Sequence, residues 1–444
     1  MSLQHLITPL ISSLLTSPGL RGLNRAGREG LRRLAGRPRQ ADCYLRLDDP
    51  WSWLLAQTLP DFAAHFDLQL SPHTLLWLPE EMYPEPEMLA SLAPLDAQRL
   101  AAFYGLEFPA HWQLPDQADV LAATRVLLSL ENTPAYWPVF HELASALWQG
   151  EGSQLQRLME QHGAADETDA RRILGERRDS FLRTGHYLSA TVHYAGEWYW
   201  SIDRLDHLAT RLHESGAGVG PPPMDYGRAK YLATAPPPAV KASPSRPLTL
   251  YFSFRSPYSW LALERTFALA DRYALDLDIR PVLPMVMRGL KVPTAKRFYI
   301  LRDAAREAAL HQVPFGRVCD PLGTGVERCM AIWPYAEQQG RLREWLLAAG
   351  EGIWSQGVNV AADRGLRRLV EQAGLDWQTA QSWLHDDGWR EQAEHNRAAM
   401  MAAGSWGVPT LVLDNQVIWG QDRFALLEVA CSDTHPNQDE DPES

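Results

Sequence analysis

Residues 48–70, DDPWSWLLAQTLPDFAAHFDLQL, and residues 255–277, RSPYSWLALERTFALADRYALDL, align without a gap at an offset of 207. The same offset carries DAQRLAAFYGLEF, from Asp96, onto DAAREAALHQVPF, from Asp303, and it falls to 206 where Trp148 meets Trp354. Late in each half, TVHYAGEWYWSIDRLDHLA, from Thr191, parallels TLVLDNQVIWGQDRFALLE, from Thr410, at an offset of 219. Three matched blocks in the same order read as one fold duplicated, with length changes between the blocks.

Each copy has the same order of elements. In the second, the apolar run Leu248 to Phe254 suits a strand, Pro257 sits at a helix start, and Leu261 to Tyr273 carries apolar residues at helical spacing. Leu277 to Leu283 suits a second strand, and helical periodicity dominates the long stretch after it, over Ala304 to Leu310, Leu342 to Ile353 and Gly365 to Ala373. Two short β-like runs, Thr410 to Leu413 and Gln416 to Trp419, flank the turn pair Asp414-Asn415 and lead into a last helix from Arg423. The expected fold class is α/β, built as βαβ, a helical insertion, then ββα, twice over.

Composition sets the class around this repeat. At 444 residues the chain is long enough for two or three domains, and 45% hydrophobic with 22% charged residues is ordinary for a soluble globular protein. A formal charge of −12 argues against nucleic acid as a partner. Cys43, Cys319, Cys329 and Cys431 have no CxxC spacing and the histidines form no HExxH, so no metal site and no disulfide scaffold is expected, and a reducing, cytoplasmic setting is. Seventeen tryptophans suggest an aromatic pocket, but Trp53, Trp260, Trp148 and Trp354 recur at matched positions and read as core anchors.

Residues 1–40 join an apolar stretch, Leu6 to Leu15, to seven arginines between Arg21 and Arg39 with Glu29 the only acid. Charge comes after the apolar run, the reverse of an export signal. The segment reads as a loosely ordered basic arm, with membrane-surface contact or organelle targeting as alternatives. Residues 214–247, with SGAGVGPPP and TAPPPAVKASPSRP, read as an extended linker, and the acidic residues 432–444 as a disordered tail.

Four motifs of the second half, SPYSW (256–260), Lys296-Arg-Phe-Tyr with Asp303, GVPT (407–410) and WGQDR (419–423), resemble the DsbA-like thioredoxin superfamily. Within it they are most similar to 2-hydroxychromene-2-carboxylate isomerases and kappa-class glutathione transferases. The resemblance implies two tandem thioredoxin-like domains, each interrupted by a helical insertion: a degenerate copy over 41–213 and an active one over 248–431. It also implies glutathione as co-substrate and a small hydrophobic or aromatic substrate; related single-domain enzymes often dimerise, and a tandem fusion could replace that dimer internally, so the oligomeric state stays open.

By position alone, Ser256 is a helix N-cap beside unpaired backbone N–H groups and the positive end of a helix dipole, where a negative charge is favoured. The resemblance gives it the catalytic role of donating to the glutathione thiolate. It likewise implies glutathione binding by Lys296, by Val408 and Pro409 around a cis peptide bond, and by Gln421 and Asp422 at the γ-glutamyl amine. Arg423 reads as structural, bridging carboxylates such as Asp303. Arg288-Gly-Leu-Lys-Val-Pro293 departs from the family's Gly-Asn segment and lacks its asparagine.

In the first copy Asp49 replaces Ser256 and Ala190 replaces Pro409, while Asp203-Arg204 matches Asp422-Arg423. An ionised carboxylate cannot donate to a thiolate and would repel it. Asp48 and Asp49 read as capping groups, with an acid/base pair as the alternative. Three functions remain open: a glutathione-dependent isomerase, a kappa-type transferase or peroxidase, and a non-catalytic tandem scaffold. Neither half has the cysteine a disulfide oxidoreductase needs at its helix start.

Overall fold

The computed structural model describes residues 3–233, 246–290 and 292–432; the expected tail from 433 and most of the second Pro-rich stretch lie outside the described residues. The first half builds β1 (Arg39–Leu45), β2 (Leu68–Thr74), β3 (Thr191–Tyr194) and β4 (Glu197–Trp200), and the second builds β5 (Pro247–Phe252), β6 (Asp276–Pro281), β7 (Thr410–Leu413) and β8 (Gln416–Trp419). Sheet orders are β2-β1-β3-β4 and β6-β5-β7-β8. In each, the first two strands pair parallel and the remaining pairs are antiparallel. Helices inserted between the second and third strands complete the same topology in both halves.

Local chemistry explains the shared geometry. The helix after the first strand starts at Pro50 in one half and Pro257 in the other, each at N1 where a missing N–H costs nothing. Asp49 and Ser256 are the N-caps. The same two helices end at Asp67 and Ala274, both left-handed at φ 47° and 50°. Trp53, Trp148, Trp260 and Trp354 are all buried, and three of their indoles are satisfied by His141 Nδ1 and the carbonyls of Leu47 and Pro314. All four cysteines are buried free thiols.

The halves meet at a reciprocal pair of buried charge clusters. Arg204, from the first half, donates to both oxygens of Asp303 at 2.9–3.0 Å and to Asp422 at 3.1 and 3.3 Å. Arg423, from the second, donates to Asp96 at 2.9 Å and to Asp203 at 2.7 and 3.0 Å. These are the residues that the repeat offsets superimpose. The aromatic donors match as well: Trp51 Nε1 reaches Asp96 at 2.8 Å and Tyr258 Oη reaches Asp303 at 2.7 Å. Arg423 is thus structural, as its position suggested, but it crosses to the other half, and Asp303 is bridged by Arg204.

Two expectations need correction. The arm is not loose: Leu3–Thr16 and Pro18–Leu34 are helices that reach both halves. Ser12 Oγ accepts from Val318 N–H at 2.9 Å, and Arg25 forms a two-pronged pair with Glu197 at 2.7 Å. Nor do residues 214–233 run as an extended linker, because Tyr226, Ala229 and Lys230 are buried. Lys230 Nζ donates to Asp206 at 2.8 Å and Glu307 at 2.9 Å, so a charged side chain anchors the connection in the seam.

Arg423→Leu is expected to lower stability by about 3–5 kcal/mol, because Asp96 and Asp203 are then buried without their cation. Urea denaturation of the full chain measures this. A loss within the experimental error would show that the seam does not depend on the pair.

Candidate functional site

Ser256 ends the turn after β5 and caps the helix Pro257–Tyr273, its Oγ accepting from Ser259 N–H at 3.1 Å. The same hydroxyl donates to the carbonyl of Val408 at 3.2 Å. The Val408–Pro409 peptide is cis, and the Ser256 bond joins the start of β7 to the start of the helix. Ser256 and Val408 are half-buried, and Pro409 is buried. The fold therefore assembles three of the six expected site residues, 152 positions apart in sequence, around one hydroxyl.

Lys296 lies in the first turn of the helix Thr294–Leu310. Its ammonium stands 5.3 Å from the ring centroid of Tyr187, a residue of the first half. Burial lowers its pKa to about 8, and no carboxylate is paired with it among the described residues. A desolvated cation without a counter-ion is suited to an incoming carboxylate.

Gln421 and Asp422 are placed differently from what the sequence suggested. Gln421 Nε2 donates to Glu307 at 2.8 Å, and its side-chain oxygen accepts from Arg265. Asp422 accepts from Arg204 and from Gln421. Both are buried in the seam and engaged by protein groups, so neither is a free ligand group. Burial raises the Asp422 pKa to about 6, despite Arg204. Burial also opposes ionisation of Asp303, but Arg204 and Arg306 outweigh it and hold that carboxyl well below its ordinary range.

Sequence reasoning missed three groups. Tyr258, two residues after the capping serine, ties the site to the seam through its bond to Asp303. Tyr187 packs with Met82 and with Tyr299 of the second half. Arg288, in the segment that lacks the expected asparagine, donates to the Trp406 carbonyl at 3.0 Å, two residues before Val408. The offset of 207 pairs Tyr258 with Trp51 and so could have pointed to the first; the other two depend on contacts across the fold.

The equivalent position in the first half is a different environment. Asp49 accepts from the hydroxyls of Ser52 at 2.8 Å and Ser189 at 2.7 Å, and from Trp51 N–H at 3.1 Å. Burial raises its pKa, against those donors and Arg46. Asp48 is paired with Arg46 through both oxygens, at 2.9 and 2.6 Å. Ala190, at the place of Pro409, has φ 55°. These contacts make Asp49 a satisfied cap. Among the described residues no cluster of three histidine, cysteine, aspartate or glutamate side chains could hold a metal, and no helix is long and apolar enough to cross a membrane. A groove of about 440 Å³ lined by Trp333, Trp383 and Trp389 lies between the helical insertion and β6, and no site residue lines it.

Comparison with known proteins places residues 248–431 in the DSBA-like thioredoxin domain family. Over 192 residues the chain is 26% identical to a 2-hydroxychromene-2-carboxylate isomerase of Sphingobium xenophagum, a match covering 41% of this chain and 97% of that protein. Over 201 residues it is 26% identical to glutathione S-transferase kappa 1 of Rattus norvegicus, covering 41% of this chain and 89% of that one. Among solved structures, a 2-hydroxychromene-2-carboxylate isomerase aligns with a TM-score of 0.36 at 24% identity, covering 41% of this chain and 93% of its own.

Replacing Tyr187 by leucine keeps the apolar cover over Lys296 and removes the ring. The Lys296 pKa is expected to fall further below 8, while Tyr187→Phe leaves it in place. NMR titration of the lysine side-chain signals reads the difference, and an unchanged value in the leucine variant would mean the ring does not hold the ammonium.

Proposed function

With residues 248–431 a DsbA-like thioredoxin domain, we propose that the protein is a glutathione-dependent isomerase acting on a small hydrophobic or aromatic substrate in the cytoplasm. Glutathione supplies the nucleophile, its thiolate adding to an activated double bond and leaving after rotation. Ser256 supports this reading best: its hydroxyl sits at a helix N-terminus and bonds the Val408 carbonyl beside a cis peptide. Rotation of that hydroxyl toward a bound sulfur would add a hydrogen bond to the first-turn N–H groups, stabilising the anion without a charged side chain.

Lys296 would balance a carboxylate of the tripeptide, and the Val408–Pro409 backbone would pair with its cysteinyl part. Gln421 and Asp422, held by Glu307, Arg265 and Arg204, would act from the seam by fixing the start of the last helix, not as ligand groups. The missing asparagine is replaced in position by a segment that Arg288 ties to Trp406. The kappa transferase relative supports a second reading that shares every one of these groups and differs in the electrophile. We further propose that the halves arose by duplication and that the first, with Asp49 at the capping position, serves as a built-in partner in place of a second subunit.

Calorimetry with reduced glutathione is expected to show one site per chain, and Ser256→Ala to reduce turnover of a chromene carboxylate at least tenfold while costing the helix cap about 1 kcal/mol. Absent binding in the wild-type chain would overturn the glutathione reading and leave a scaffold.

Lys296 also sets a pH dependence. Its charge is present below its folded pKa of about 8 and lost above it, so affinity for S-methylglutathione, which has no thiol to titrate, should fall as pH rises through 8. Lys296→Arg should remove that inflection, whereas an inflection that persists belongs to another group.

A further inference from the structure

The arm helix Pro18–Leu34 has no buried residue, and its apolar side chains face away from the protein. Leu20, Leu23, Leu31 and Leu34 are 42%, 71%, 69% and 88% exposed, and Leu10, Ile11 and Leu14 on the preceding helix are 61%, 49% and 62% exposed. Half of the large hydrophobic side chains exposed on the described residues therefore lie before residue 35. Scattered surface leucines need no explanation, but a concentration of this kind marks a binding surface.

The arrangement around the helix is ordered. At 3.6 residues per turn the four leucines fall within an arc of about 80°, and Arg21, Arg25, Arg28 and Arg32 within a separate arc of about 60°. The arginine side is turned to the body: Arg25 pairs with Glu197, and the Arg28 guanidinium lies against Gly196, where an added Cβ would meet it at 2.6 Å. Salt bridges thus hold the helix with its leucines outward. The preceding helix is fixed on the other half, where Thr16 Oγ1 donates to the Gly316 carbonyl at 3.3 Å.

We propose that this arm is a membrane-surface anchor, and that it binds an anionic lipid leaflet through its leucine face. Charge decides the occupant. Glu29 is the only acid in the first 39 residues, and it is neutralised by Arg32 at 2.7 Å and Arg33 at 2.9 Å. Arg28, against Gly196, and Arg33, held by Glu29 and the Ser215 carbonyl, make both flanks of the leucine arc basic, and exposed Arg37 stands beyond its end, where a long side chain can reach lipid phosphates while leucines enter the acyl boundary. A second copy of the chain would bring the same arginines face to face. An anionic leaflet meets both features, and because the whole chain is at −12 with the basic arm included, the body is acidic, would be repelled by the leaflet and so be held off the surface by its arm.

The test is co-sedimentation of the full chain with vesicles of phosphatidylcholine alone and with 30% phosphatidylglycerol, with Leu23→Glu/Leu31→Glu beside the wild type. Binding to the anionic vesicles is expected, weakened several-fold by 0.5 M salt and at least tenfold by the double substitution. Both leucines are solvent-exposed, so the variant should keep its fold, which circular dichroism checks. Equal sedimentation of wild type and variant, or none with anionic vesicles, overturns the proposal. So does a lipid-free dimer that the double substitution dissociates, since the face would then belong to a second copy. Glutathione binding is measured on the same samples, and its presence or absence leaves the outcome for the arm unchanged.

Discussion

Two arginines crossing between the halves set the geometry on which everything else rests. Arg204 and Arg423 each leave one copy to neutralise two carboxylates, one on the other copy's insertion helix and one at the start of a last helix. Ionised carboxylates at this depth are sustained only with a cation in hydrogen-bonding contact. The seam therefore has one register: a relative shift would part Asp96, Asp203 and Asp422 from their cations together and leave Asp303 only Arg306. Tyr258 carries that constraint to the site, since its hydroxyl is bonded to Asp303 two residues from the capping serine.

The seam is symmetric at its centre and unequal at its edge. Glu307 gathers Arg204, Lys230, His207 and Gln421, whereas the position the offset pairs with it in the first half is Leu100. Burial opposes ionisation of Glu307, but Arg204 and Lys230 outweigh it and hold its pKa well below the usual range. The second half thus spends its last-helix start on internal contacts, and Lys230 shows that the connection between copies contributes a charge as well as length. This explains why a segment rich in proline and glycine is nonetheless packed.

Much of this was legible in the sequence because it is local or repeated. Strand, proline-started helix and hairpin follow from periodicity and turn chemistry, and the offsets identify equivalent residues without any structure. Ser256 was readable as a cap, and the cis Val408–Pro409 peptide from the family resemblance. The destination of a long side chain was not readable. Gln421 and Asp422 looked like ligand groups because their sequence context is a helix start, but the fold surrounds them with Arg265, Glu307 and Arg204. The arm misled for the same reason: its composition suggests a solvated chain, and only the positions of Glu197, Val318 and Gly316 give it a place to dock.

The two capping positions show how one topology takes two different caps under a physical rule. A helix N-terminus at the end of the first strand accepts either a hydroxyl or a carboxylate, since both satisfy first-turn N–H groups. Only the hydroxyl leaves the end free to receive an external anion. In the first half the carboxylate of Asp49 already fills that role, and Ser52 and Ser189 donate to it as they would to a bound ligand. In the second half Ser256 caps with a neutral hydroxyl, and Lys296 adds a cation that no carboxylate pairs with among the described residues. The Asp49 carboxyl is thus satisfied within its own half, whereas the Ser256 hydroxyl bonds a first-turn N–H and the Val408 carbonyl, and the first half reaches Lys296 of the second through Tyr187.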